Sequence, residues 1–80
     1  MKRDMELIRE IMFFLQNQAE AESTMGFYSN FDGSSGEQVK AHVALLVEEG
    51  LIASRAQSGS GYYYLLRLTW RGHDYAETLQ

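Results

Sequence analysis

The chain has 80 residues, no cysteine and no proline, and seven Lys+Arg against eleven Asp+Glu, a formal net charge of −4 at pH 7. That length holds one domain, 1–80, and the lack of thiols excludes a disulfide scaffold, a zinc ribbon and cysteine catalysis. The excess of acid argues against non-specific nucleic-acid binding, which depends on Lys and Arg meeting phosphates.

Residues 4–19 carry the spacing of an amphipathic helix: Met5, Ile8, Met12 and Leu15 repeat at i, i+3, i+4 and i+7, with Ile11 beside them. Leu7 and Phe14 flank this stripe. Phe13 falls about 140° from Ile8, beside Glu6 and Arg9. Its ring is either a second core face covered by later chain or a dimer or partner contact. The longest apolar run, Ile11-Met12-Phe13-Phe14-Leu15, is too short for a membrane span. Charges at Asp4, Glu6, Arg9 and Glu10 interrupt any signal-peptide core, so a cytoplasmic location is expected.

Residues 19–24 read as a loop. Residues 25–31 read as an extended segment with Met25, Phe27 and Phe31 on one face. Asp32-Gly33 marks a turn. Ser34-Ser35-Gly36-Glu37 is a capping box with Ser34 as N-cap and Glu37 at N3, and Val39, Val43, Leu46 and Val47 then repeat at helical spacing. Gly50 suits the left-handed position that ends such a helix. His42 lies on the flank of the core stripe, as a packing residue. Around Val43 as the inward centre, the outward face collects Glu37, Gln38, Ala41, Leu45 and Glu48.

Leu51–Gln57 and Tyr62–Thr69, joined by Ser58-Gly59-Ser60-Gly61, form a β-hairpin whose second arm alternates Tyr62, Tyr64, Leu66, Leu68 against Tyr63, Leu65, Arg67, Thr69. Residues 70–79 close the chain as a short helix, with Thr69 available as its cap and Trp70, Tyr75 and Leu79 available for packing.

The expected class is α+β, in the order helix, strand, helix, hairpin, short helix. Val39 to Ile52, ending Glu48-Glu49-Gly50-Leu51-Ile52, resembles the recognition helix of bacterial winged-helix regulators. Leu68-Thr69-Trp70-Arg71-Gly72 resembles the Leu-Thr-x-x-Gly step that leaves their wing. The opening Met1-Lys2-Arg3-Asp4-Met5 is similar to a narrower group of small, uncharacterised winged-helix-like proteins of bacteria and their phages. The resemblance implies a winged-helix-like domain whose hairpin is the wing. In it, the helix that normally precedes the recognition helix is reduced or missing, because residues 20–33 must also hold the first strand.

The chain shows no Gly-rich phosphate loop. His42 and His73 lie on separate elements without metal-ligand spacing, and the serines cluster in turns. The expectation is a non-enzymatic module with no catalytic residue, metal or cofactor. Two functions remain. The first is a protein-binding module using Glu37, Gln38, Ala41, Leu45, Glu48 and Phe13; if phage-encoded, it would inhibit a host nucleic-acid-binding defence complex such as a CRISPR effector. The second is a dimeric DNA-binding regulator, with Lys40 at the groove and Arg55, Arg67, Arg71 and Tyr63 on the wing meeting the backbone. A homodimer through the first helix is a further possibility.

Overall fold

Helix α1 (Met5–Asn17) starts at a cap that the hydrophobic spacing does not reveal. The Asp4 carboxylate accepts from the backbone N–H groups of Glu6 (3.0 Å) and Leu7 (3.2 Å), satisfying donors that the first turn would otherwise leave unpaired. The computed structural model describes residues 3–17, 31, 33–54, 56–57, 63–64 and 66–79, with 56–57 and 63–64 through their backbone alone. The extended segment expected over 25–31, apart from Phe31, lies outside the described residues. So do a reduced helix within 20–33, the hairpin tip 58–61, Arg55 and the side chain of Tyr63.

The buried stripe of α1 is wider than the four-residue pattern and turned toward its flank. Leu7, Ile8, Ile11, Met12 and Leu15 are all buried, whereas Met5 is 43% exposed. Met5 stands at the first helical position, beyond the edge of the core. Phe14, on the other side, packs edge-on against the buried ring of Phe31 at 5.7 Å between centroids.

A turn closed by Ser34 N–H on the Phe31 carbonyl, with Gly33 at φ 82°, leads into α2 (Gly36–Glu48). Its N-cap is Ser35, not Ser34. Ser34 is held in the preceding turn, while Ser35 has extended backbone and its side chain accepts from Gln38 N–H at 3.1 Å. Glu37 therefore sits at the second helical position rather than the third. Val39, His42, Val43 and Leu46 are buried and Val47 is partly so.

The other end closes as expected. Gly50, at φ 77°, donates to the Val47 carbonyl and Leu51 N–H to the Leu46 carbonyl, both at 3.0 Å. Together these bonds form a Schellman motif, which satisfies carbonyls the helix end leaves free.

Strands β1 (Ile52–Ala53) and β4 (Arg67–Leu68) pair antiparallel, as do β2 (Ala56–Gln57) and β3 (Tyr63–Tyr64). In all four residue pairs the two numbers add to 120, so both ladders share the register of one hairpin. Leu66 and Leu68 are buried and Arg67 is exposed, in agreement with the period-2 alternation. Helix α3 (Trp70–Thr78) then packs Ala76, Tyr75 and Leu79 against the common core. At about 1.5–3 kcal/mol for each large apolar side chain, the burial shared by α1, α2, the hairpin base and α3 is the main stabilising term.

Candidate functional site

The outward face expected on α2 is present. Glu37, Gln38 and Glu48 are exposed, and Ala41 and Leu45 are half-buried between them. At about 100° per residue, Glu37, Ala41 and Glu48 fall within one narrow arc opposite Val39, Val43 and Leu46. Lys40 Nζ lies 2.9 Å from Glu37 Oε2, one turn away. An i, i+3 pair of this kind contributes only about 0.2–0.5 kcal/mol, but it neutralises one acid of the face and occupies the cation once expected at a groove. What remains outward is apolar surface with carboxylates toward the C-terminal end.

That end carries Glu48 and Glu49 where the helix dipole is already negative, and α2 has no basic residue in its last turn. Helix α3 supplies the cation. Arg71 Nη1 donates to the Glu49 carbonyl at 2.9 Å, Thr69 Oγ1 donates to the Gly50 carbonyl at 2.6 Å, and Thr69 N–H donates to the Leu51 carbonyl at 3.1 Å. Thr69 Oγ1 also accepts from Gly72 N–H at 2.9 Å and so caps α3. Three successive carbonyls at the end of α2 are thus closed by the step that opens α3. Gly72 permits the approach: a Cβ there would meet the Leu51 carbonyl oxygen at 2.0 Å.

Arg71, expected on a DNA-binding wing, therefore lies on the helix–helix junction. Arg67 is exposed on β4, its Nη1 3.5 Å from the Leu68 carbonyl. With Arg55 and the Tyr63 side chain outside the described residues, the described part of the hairpin holds one outward arginine from the expected set.

Phe13 does not join the α2 face. Its ring is half-buried on α1, and the Arg9 guanidinium stands 6.0 Å from its centroid. His42 does more than pack. Fully buried, it accepts from Asp4 N–H at Nε2 (2.9 Å), and its Nδ1 lies 2.8 Å from the Gln38 carbonyl. An amide N–H only donates and a carbonyl only accepts, so the ring is neutral with its proton on Nδ1. It ties the start of α1 to α2.

Trp70 corrects an expectation. It is 85% exposed rather than packed. Gly72 and Ala76 face the core, about 200–240° around the helix from Trp70, which points it into solvent. That signal was available from the wheel alone. A cleft of about 350 Å³ beside Leu45 was not, because it needs Arg3, Glu49, Leu51, Arg71 and Tyr75 from three separate stretches of the chain. No group of three or more potential metal ligands occurs among the described residues, and no helix there is long and apolar enough to cross a membrane.

The described residues form a small α+β domain with an exposed helix face and an exposed tryptophan. Residues 2–80 match the family model of the hypothetical proteins DUF2513, and the chain belongs to that family. It is 34% identical over 82 residues to an uncharacterized protein of Haemophilus influenzae, covering all of this chain and 69% of that protein. No solved structure matches.

Proposed function

We propose that the protein is a winged-helix-like, non-enzymatic binding module that acts through a protein partner, docking by the outer face of α2. The observation that supports this reading is the composition of that face: Glu37, Ala41, Leu45 and Glu48 outward, with Lys40 engaged by Glu37. Carboxylates beside apolar surface repel phosphates and suit a protein surface that is basic around a hydrophobic centre. In its most concrete form, the module is a phage-type inhibitor that occupies the basic channel of a host nucleic-acid-binding defence complex, such as a CRISPR effector.

The DNA-regulator alternative keeps the exposed Arg67 as support. It loses Arg71 to the end of α2 and Lys40 to Glu37.

The test is affinity capture from an extract of the source cells with the wild type and with the E37K/E48K double variant. Both substituted positions are exposed, so the fold should persist, as circular dichroism would verify. A partner retained by the wild type and lost from the folded double variant is expected. Equal retention by both would remove the α2 face from the account.

A further inference from the structure

The most anomalous side chain of the described surface is Trp70. Large aromatic residues are normally withdrawn from water, and a single indole can contribute more to a protein contact than any other residue type. Trp70 is not an isolated exposure. One turn along α3 lies Asp74, and two turns along lies Glu77, at the i, i+4 and i+7 positions that form one stripe, with His73 beside it; all four are exposed.

Glu77 stands in the last turn of α3, which has no basic residue. A carboxylate there works against the helix dipole. A surface that keeps acids where they do not help the helix, next to an aromatic face turned to solvent, has the composition of a site for a cation. The guanidinium of arginine meets both demands. It stacks on indole, the best of the cation–π acceptors, and donates in parallel to carboxylates.

We infer that the outer face of α3, formed by Trp70, Asp74 and Glu77, binds an arginine-bearing segment of a protein partner, with a guanidinium over the Trp70 ring and neighbouring basic residues on Asp74 and Glu77. This inference adds a second contact surface to the α2 reading and stands on different residues, so either can fail without the other. A basic partner is consistent with both, because each face presents carboxylates beside apolar area.

Trp70 is the sole tryptophan, so its fluorescence reports on the site directly. The full-length protein is titrated with an arginine-rich dodecapeptide and with the lysine-rich peptide of the same length and charge. The expected result is a saturable change in Trp70 emission, with the arginine peptide binding several-fold more tightly than the lysine peptide. D74K/E77K should weaken binding by about tenfold or more, and E37K/E48K, with the same change in net charge, by no more than about threefold. Equal weakening by the two double variants would overturn the inference, because binding would then follow net charge alone. So would Trp70 emission that shifts with protein concentration in step with a doubling of mass by light scattering, since a second copy would then cover the face.

Discussion

His42 shows how much one side chain can determine about the placement of two helices. Spacing on α2 puts it at the flank of the core, but its partners come from Asp4, 38 residues away, and from the carbonyl of Gln38 one turn back. Both ring nitrogens are used, and a hydrocarbon ring of similar size would fill the space while leaving the Asp4 N–H without this acceptor. His42→Phe should therefore destabilise the protein by about 1–3 kcal/mol, read as a lower urea midpoint with little change in slope. A midpoint equal to that of the wild type would mean that packing is all His42 provides. The periodicity of α2 made His42 a core residue; nothing in the order of residues disclosed its donor, because the pairing exists only once α1 lies beside α2. Ser34 and Ser35 illustrate a second case. The capping pattern read in the sequence, Ser34 with Glu37, is displaced by one residue, because Ser34 N–H closes the turn on Phe31 and the side chain of Ser35 accepts from Gln38 N–H instead.

Among elements, the end of α2 is joined to the start of α3 by hydrogen bonds from Thr69 and Arg71. Gly50, Leu51, Thr69, Arg71 and Gly72 come from two short motifs far apart in the chain, and each motif was visible as a helix end or a helix start. Their mutual engagement was not, since it depends on the hairpin returning Thr69 to the end of α2. The pairing of Ile52 with Leu68 achieves that return. Because a Cβ at position 72 would collide with a backbone carbonyl oxygen rather than a movable side chain, Gly72→Ala should cost about 2 kcal/mol or more and separate α3 from α2. Thermal or urea unfolding measures this, and a loss below about 0.5 kcal/mol would show that α3 can shift without consequence. The same junction explains why Arg71 was misplaced as a wing residue. The order of residues around Arg71 carries no information about a carbonyl 22 positions earlier.

For the whole molecule, helices and hairpin were legible because their hydrophobic periods differ and their caps are strong. The α2 face followed from the same wheel. The exposure of Trp70 also followed from geometry once Gly72 and Ala76 are taken as the inward side of α3, although its aromatic character suggested packing. The cleft and the loss of Lys40 and Arg71 to internal partners required the folded chain. They bear on function in one direction, because they engage two of the surface cations of a protein whose formal net charge is already −4. The central claim, that this domain recognises protein and not nucleic acid, is tested most directly by fluorescence anisotropy of a labelled random duplex at about 50 and about 200 mM salt, where phosphate contacts reveal themselves. The account predicts no binding at either concentration. Binding that is firm at the lower salt and falls steeply at the higher would contradict it and return the hairpin arginines to the role of a DNA-contacting wing.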